Sequence, residues 1–338
     1  MPYRIIVQPS GHQFTVLPDE TILEAALREG VGLPYGCRNG MCGSCKGTVL
    51  AGELDYGNYR ETALTPDEKA AGKALFCRAR PLSDLTLQAR EVGGAKDVIV
   101  KTLPCRVESL EKRADDVMIV KIKLPANERL QFLAGQYIEF LLKDGKTRSY
   151  SLATPPHDDA LLELHIRHMP GGLFSDQVFS TMKVRDILRM KGPLGSFFIR
   201  EDSDKPMIFV AGGTGFAPIK GMLEHAFATH MDREMVLYWG VRARKDLYMA
   251  ELPVQWQREH PHFTFIPVLS NPAPDDAWQG RTGYVHEAVM ADFADLSGYQ
   301  VYACGAPVMV DSAHGAFTAH RGLAEEDFFA DSFVTAAD

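Results

Sequence analysis

The chain lacks long apolar runs, an excess of positive charge and an even scatter of cysteines, and each lack excludes a class. No run approaches the ~20 apolar residues that a membrane-spanning helix requires. Lys and Arg number 36 against 44 Asp and Glu, giving a formal net charge of -8. That balance supplies no basic footprint for nucleic acid and leaves a mildly acidic surface suited to small-molecule or protein partners. The opening MPYRIIVQPSGHQF has no apolar stretch of the secretory kind, so the expected compartment is the cytoplasm. There is no internal repeat and no low-complexity tract. A disulfide scaffold needs an oxidising compartment and a small chain. With only 6 cysteines in 338 residues, neither condition is met.

What is present begins with the placement of those cysteines. In PYGCRNGMCGSCKG, Cys37, Cys42 and Cys45 fall in C-x4-C-x2-C spacing, and Cys77 follows in ALFCRAR. This is the plant-type ligand spacing for a 2Fe-2S cluster. Four thiolates supply soft donors to two irons, and the glycines at 36, 40 and 43 let backbone amides approach the sulfurs and tune the potential. A zinc site is the alternative, but zinc usually takes its cysteines as two close C-x2-C knuckles. Here three crowd one loop and the fourth is distant. Cys105 and Cys304 stand apart from that group.

The length allows two or three domains. YRIIVQPSGHQFTV reads as a β-hairpin. DETILEAALREGV places Ile22, Leu23, Ala26 and Leu27 on a helical period, with Asp19 or Thr21 as N-cap and Gly30 as the stop. The stretch from Leu33 to Gly47 reads as a loop before the strand of KGTVLAGEL, an economy that fits a small β-grasp module. EVGGAK, from Glu91 to Lys96, reads as a linker. Beyond it, short β-type runs separated by Pro and Gly (CRVESLEK, VMIVKIKL, QYIEFLL, LLELHIRH) predict an antiparallel β-barrel. From Met207 the rhythm changes to strands alternating with helical patterns, which predicts a doubly wound parallel sheet. The expected architecture is multidomain, α+β followed by α/β, with domains at 1–92, 100–200 and 201–338.

Two further groups of residues carry chemistry. In TRSYSLAT, Arg148 can neutralise a phosphate, Tyr150 offers a flat face to a ring and Ser151 can bond a heteroatom, although the string alone is equally an edge strand. RHMPGGLFSDQVF brings two glycines and Ser175 to the start of a helical stretch, a backbone cradle for pyrophosphate. In MIFVAGGTGFAP a buried strand runs into Gly212, Gly213, Thr214 and Gly215, with a helix expected near Pro218. Such a turn presents backbone donors and a positive dipole end to phosphate, though it is not the G-x-G-x-x-G fingerprint. YACGAPVMV ends another strand at Cys304 and Gly305. The plainer reading of Cys304 is a small buried hydrophobe.

With these motifs in hand, the first ninety or so residues resemble a plant-type ferredoxin. The rest resembles the flavin and nicotinamide domains of the ferredoxin–NADP reductase superfamily. The order of modules is similar to that in the reductase components of bacterial ring-hydroxylating dioxygenases and monooxygenases, and in the reductase that serves a CDP-6-deoxyhexose 3-dehydrase. The resemblance implies that Cys37, Cys42, Cys45 and Cys77 hold the cluster. It implies that Arg148, Ser149, Tyr150, Ser151, His165, Arg167, Gly171, Gly172 and Ser175 bind FAD, with Arg148 on a phosphate and Ser151 at the N5 edge. Gly212, Gly213, Thr214, Gly215, Cys304 and Gly305 would meet the nicotinamide nucleotide, with Ser151, Cys304 and Phe333 at the reacting centre. FFADSFV resembles the superfamily's closing acidic-x-aromatic element, here Asp331 and Phe333, although the chain continues past the aromatic; a core role for Phe333 is the alternative. Cys-Gly-Pro of the family reads Cys-Gly-Ala-Pro here.

The implied activity is oxidation of NADH through FAD and the cluster, with single electrons delivered to a partner protein. The expected acceptor is an oxygenase component, with a deoxysugar dehydrase as the alternative; an iron–sulfur redox sensor is the reading from another class. NADPH enters if Arg242, Arg244 and Lys245 meet a 2′-phosphate rather than forming a solvated loop.

Overall fold

The computed structural model describes residues 2–91 and 99–334. The predicted linker, past Glu91, lies outside the described residues. Contacts divide the chain into two compact units, the second beginning at Ile99.

In the first unit, β1 (Tyr3–Gln8) and β2 (Gln13–Val16) form the predicted hairpin, with Ile5 opposite Phe14. α1 (Ile22–Arg28) starts on a capping box: Thr21 Oγ accepts from Glu24 N, and the Glu24 carboxylate accepts from Thr21 N at 2.8 Å. Thr21 is therefore the cap rather than Asp19. Ile22, Leu23, Ala25 and Ala26 are buried while Leu27 is 39 % exposed, so the buried stripe includes Ala25 in place of Leu27. β3 (Lys46–Ala51), β4 (Leu54–Asp55), α2 (Pro66–Ala70), β5 (Lys73–Leu75), β6 (Arg80–Pro81) and β7 (Leu85–Gln88) complete the unit. Its sheet runs β2-β1-β7-β3-β5, with β1 and β7 parallel, a β-grasp arrangement. The short α2 went unread in the sequence, although Thr65, Pro66 and Glu68 spell a capping box with proline at its first position.

The second unit opens with the predicted antiparallel barrel. β8 (Lys101–Ala114), β9 (Val117–Lys123), β10 (Tyr137–Leu141), β11 (Thr147–Ser151), β12 (Leu162–Arg167) and β13 (Ile187–Leu194) run in the order β11-β10-β13-β8-β9-β12. A bridge between Leu152 and Leu164 joins the two end strands. Val107, Ile122, Ile138, Phe140, Leu164 and Ile166 fill the interior, and α3 (Leu173–Ser180) adds Phe174 and Val178 to it. Cys105 belongs to this core, and burial pushes its thiol up to about 12.

Within the same unit, β14 (Met207–Gly212), α4 (Phe216–Ala228), β15 (Met235–Val241), α5 (Glu251–Glu259), β16 (Phe263–Leu269), β17 (Arg281–Thr282), α6 (Val285–Asp292), β18 (Gln300–Gly305), α7 (Pro307–Arg321) and β19 (Phe328–Ser332) follow. The sheet order is β17-β16-β15-β14-β18-β19, parallel throughout. One apolar layer gathers Phe216, Met222 and Trp256 from α4 and α5; the other gathers Val285, Val289, Ala313 and Phe317 from α6 and α7. Strand order reverses between β14 and β18, and ligands of doubly wound sheets bind at the carboxyl ends beside that point. Ala211 pairs with Cys304 there, so the two glycine-bearing segments are neighbours by topology. α4 starts at Phe216 rather than near Pro218, because a 3-10 turn over Gly213–Gly215 runs straight into it. Proline is tolerated in that first turn, where backbone N–H groups have no helical partner.

Candidate functional site

The loop after α1 and the pairing of β3 with β5 assemble the thiols. Lys46 stands opposite Leu75, which brings Cys45 and Cys77, one residue before β3 and two after β5, to one end of the strands. Phe76 N donates to Cys45 O at 3.1 Å. Cys37 N donates to Cys42 Sγ and Met41 N to Cys37 Sγ, each at 3.4 Å. Gly40 has φ +82, and a Cβ there would lie 2.8 Å from Arg78 Cγ and 3.0 Å from Asn58 O, so glycine is required on both conformational and steric grounds.

The thiols interact as two pairs. Cys37 is pulled down to about 6 by its hydrogen bond with Cys42, and Cys77 is lowered by its bond with Cys45. All of these cysteines are free. A quartet of thiols in two pairs, with backbone amides already aimed at sulfur, is a donor set that fits two irons.

On β11, Arg148 and Tyr150 are half-buried, Ser149 is exposed and Ser151 is buried. The Tyr150 ring lies 5.4 Å from that of Phe174 on α3, which joins the Arg-Ser-Tyr-Ser strand to the glycine segment. Burial raises the Tyr150 phenol pKa, so it stays protonated. Gly172 caps α3, and a Cβ on it would come 2.9 Å from Met169 O, a cradle that only glycine leaves open. Ser175 Oγ donates to Met169 O at 3.0 Å and accepts from Met169 N at 3.1 Å, so the hydroxyl shapes the loop from within. Gly171, just before, is in the left-handed region at φ +82. These features fit a diphosphate at the start of α3 and a flat ring beside Tyr150.

The side chains of two residues expected to line the flavin, His165 and Arg167, meet protein groups. The His165 side chain has no exposed surface, and both its ring nitrogens are bonded to protein, to Tyr248 and Glu163. Arg167 is held by Asp116, Nε to Oδ2 at 2.8 Å. Its Nη1 lies 3.4 Å from where a Cβ of Gly213 would be, which directs the guanidinium to the glycine turn of the parallel sheet.

Around that turn, Trp239 Nε1 donates to Gly213 O at 2.9 Å. Cys304 is fully buried and its thiol is raised, first by burial and then by the nearby Asp331 carboxylate. It pairs with Asp331 across β18 and β19. Ser151 Oγ donates to Asp331 Oδ2 at 3.2 Å, bridging barrel and sheet. Phe333 N donates to Gly305 O at 2.8 Å, and its half-buried ring packs at the margin of the core. Ser151, Cys304, Asp331 and Phe333, far apart in the chain, thus gather at one strand end. The extra residue in Cys-Gly-Ala-Pro makes Ala306 the N-cap and Pro307 the first residue of α7.

The basic loop after β15 is partly neutralised. Arg244 N donates to Asp276 Oδ2 at 3.2 Å and its Nη1 to Asp276 O at 3.2 Å; Lys245 Nζ pairs with Asp115 Oδ2 at 3.0 Å. Asp115, Asp116, Trp239 and Asp276 were not singled out from the sequence. RADDVM reads only as a turn, and Trp239 as one more apolar residue in a buried strand.

A thiol-bearing β-grasp unit followed by a barrel and a doubly wound sheet, with glycine cradles on both, defines an iron–sulfur flavoprotein that oxidises a nicotinamide nucleotide. The chain belongs to the ferredoxin-reductase-like oxidoreductases. A 2Fe-2S iron-sulfur cluster binding domain matches residues 5–82, an oxidoreductase FAD-binding domain 104–199 and an oxidoreductase NAD-binding domain 209–315. It is 40 % identical to the CDP-6-deoxy-L-threo-D-glycero-4-hexulose-3-dehydrase reductase of Yersinia pestis, over 99 % of both chains. It is 35 % identical to reductase component 2 of the terephthalate 1,2-dioxygenase of Comamonas sp, covering 99 % of this chain and 98 % of the relative. The solved structure of the Amycolatopsis cytochrome P450 reductase GcoB matches with a TM-score of 0.79 at 36 % identity, over 99 % of this chain and 100 % of the other. The protein is an oxidoreductase that passes electrons from NADH by way of FAD and a 2Fe-2S cluster. Among the described residues no helix is long and apolar enough to cross a membrane.

Proposed function

We propose that Cys37, Cys42, Cys45 and Cys77 hold the cluster, two thiolates to each iron, and that the chain delivers single electrons to a separate protein. The observation that carries this is the gathering of the thiols, Cys37 and Cys42 in one loop with backbone amides on both sulfurs and Cys45 and Cys77 at one end of the β3–β5 pair, in a chain that also bears the two glycine cradles. When bound, the flavin accepts two electrons together and gives them up one at a time, and the cluster carries one electron at a time. The protein's own residues bind and orient. Arg148 neutralises flavin phosphate, the α3 start with Gly171 and Gly172 takes the diphosphate, and Tyr150 supports the ring. The turn at Gly213–Gly215, with Arg167 over it, holds the nicotinamide nucleotide. Ser151 and Asp331 fix a hydrogen-bonded edge, while Cys304 and Phe333 exclude water. Modules at 1–92, 100–200 and 201–338 divide these tasks. The Asp115 carboxylate on Lys245 Nζ and the Asp276 main-chain carbonyl on Arg244 Nη1 support use of NADH, since a 2′-phosphate would have to displace them.

For the acceptor, 40 % identity to a dehydrase reductase over 99 % of both chains supports a deoxysugar dehydrase. In that role the chain is a CDP-6-deoxy-delta-3,4-glucoseen reductase. An oxygenase component is the second reading, supported by the likeness to the P450 reductase. Reconstitution decides between them. NADH and this protein should sustain turnover of a CDP-6-deoxyhexose dehydrase in the purified pair. Failure there, with steady turnover of a Rieske or P450 oxygenase, selects the second reading.

Phe333 offers a separate prediction. Its ring is half-buried, so Phe333→Ala should cost only ~1–2 kcal/mol, below the ~3–5 of a fully buried Phe. If the ring covers the flavin face, the same variant should bind nicotinamide more tightly and shift the flavin absorbance. A sharp fall in Tm with unchanged affinity and spectrum would assign Phe333 to the core.

A further inference from the structure

Behind the glycine turn runs a buried polar chain. His165 Nε2 lies 2.9 Å from Glu163 Oε1, and its Nδ1 lies 2.8 Å from the Tyr248 hydroxyl. A carboxylate only accepts, so Nε2 carries the proton and Nδ1 accepts from Tyr248. Burial lowers the imidazole pKa against the pull of Glu163, which keeps the ring neutral at pH 7. Burial pushes the Glu163 carboxyl up, but the His165 hydrogen bond and the charges of Lys220 and Lys121 outweigh it and hold the group well below the usual range. Lys220 Nζ stands 3.3 Å from Glu163 Oε1, and Lys121 Nζ 3.2 Å from Oε2.

The two ends of this chain attach to the two halves of the site. At the Glu163 end, Lys220, on α4, also donates to Ala153 O at 3.1 Å and to Glu224 Oε2 at 2.9 Å. Ala153 lies two residues past Ser151, and its N donates to Glu163 O at 2.9 Å. Gly221 lets α4 sit against this segment, since a Cβ there would lie 3.1 Å from Thr154 O and 3.2 Å from Leu152 O. At the other end, the Tyr248 ring meets Trp239 edge-on at 5.2 Å and 87°. Trp239 stacks on Phe216 at 4.0 Å and donates its indole N–H to Gly213 O. From the Ser151 segment to the glycine turn, every link is a hydrogen bond or a ring contact.

We propose that Glu163, His165 and Tyr248, anchored by Lys220, are positioning residues that set the turn at Gly213–Gly215 against the Ser151 segment. The inference rests on the reading that this turn holds the nicotinamide nucleotide and that β11 holds the flavin. Transfer between the two rings tolerates little error, because a misplacement of about 1 Å can cost roughly a hundredfold in rate. Apolar burial is non-directional and does not by itself orient α4 on the barrel. A directional acid–imidazole–phenol chain with both ends tied admits one arrangement, and leaving any member unpaired is costly.

The test uses the full-length holoprotein. Tyr248→Phe keeps the ring and removes one hydroxyl. It should slow flavin bleaching at saturating NADH by roughly tenfold and weaken NAD+ binding, measured by calorimetry, about fivefold, with flavin and iron content unchanged. His165→Gln retains one donor and one acceptor and should recover most of the rate that His165→Leu loses. The double variant Tyr248→Phe with His165→Leu should be little worse than His165→Leu, because both break the same chain. If His165→Leu does not fold, Tyr248→Phe decides alone. A lowered Tm with wild-type saturating rate and NAD+ affinity would reduce the network to scaffold and overturn the proposal. Loss of a limb of the pH–rate profile in His165→Gln would show that His165 titrates during turnover, and would also overturn it. Gly213→Asp checks the underlying reading, since Asp tolerates the φ of +53 and sets a carboxylate against phosphate. If Gly213→Asp keeps full NAD+ affinity, the turn is not the nucleotide site, and that reading falls whatever Tyr248→Phe does.

Discussion

Cys77→Ser should abolish the iron–sulfur absorption and the EPR signal of the reduced protein, while FAD stays bound and NADH still reduces ferricyanide at close to the wild-type rate. Cys77 sits on the segment after β5, and its side chain bonds that of Cys45, so it is half of one thiol pair. A serine hydroxyl is a harder donor than thiolate and remains protonated at neutral pH, which would leave one iron with a single protein thiolate. Weakening a metal's support by even an outer contact commonly costs about 10–100-fold in affinity, and a lost ligand costs more. Iron content should therefore fall to a small fraction of the wild-type value. Cytochrome c, which accepts one electron at a time, should lose its reduction by at least about tenfold, because the cluster is its donor. Metal binding is also folding energy, so the first unit should melt earlier while the second is unaffected. A full 2Fe-2S EPR signal in the variant would overturn the ligand assignment.

The contrast between this quartet and the rest of the site shows what a sequence makes readable. Three ligands lie within one loop, and their spacing is itself the geometric constraint, so local order carried the inference. The sequence narrows the N-cap of α1 only to Asp19 or Thr21, and the local bond between Thr21 and Glu24, three residues apart, is what selects Thr21. Leu27 misled because a helical period names a stripe but not the edge at which tertiary packing stops; Ala25 lies inside that edge and Leu27 outside. The flavin and nicotinamide strings announced themselves by glycine and charge, yet their cross-links did not. Ser151 and Asp331 are 180 residues apart, and His165 and Tyr248 are 83 apart. No periodicity encodes such pairs, because each depends on how the barrel docks on the sheet. His165 and Arg167 show the consequence. They are two residues apart on β12, yet one is sealed behind the turn and the other reaches over it.

Gly215→Ala should destabilise the second unit and remove nicotinamide binding, although local preference argues the opposite. Gly215 has φ -58 and ψ -13, right-handed helical values that alanine adopts more readily than glycine. The obstacle is space. A Cβ there would lie 2.0 Å from Cys304 O, 2.5 Å from Cys304 C and 2.9 Å from Gly305 N, all backbone atoms of β18. A side chain could rotate away, but β18 is paired on both sides, to β14 and β19, and has nowhere to go. Overpacking typically costs 1–3 kcal/mol, and against backbone the upper end applies, roughly 3 kcal/mol, or about 6–12 °C in Tm for a unit of this size. Relief requires the end of β14 to part from the end of β18, which moves the glycine turn away from Cys304, so NAD+ affinity should fall more than roughly tenfold even in protein that remains folded. Gly315→Ala is the matched control. It lies in α7 with nothing within 4 Å of its Cβ position, so the same added methyl should stabilise by about 0.5–1 kcal/mol, the ordinary gain of Ala over Gly in a helix. Differential calorimetry on the two variants reads opposite signs if close approach governs position 215. Equal, small effects of the same sign would mean that β14 and β18 part easily, and the turn would no longer count as a rigid cradle.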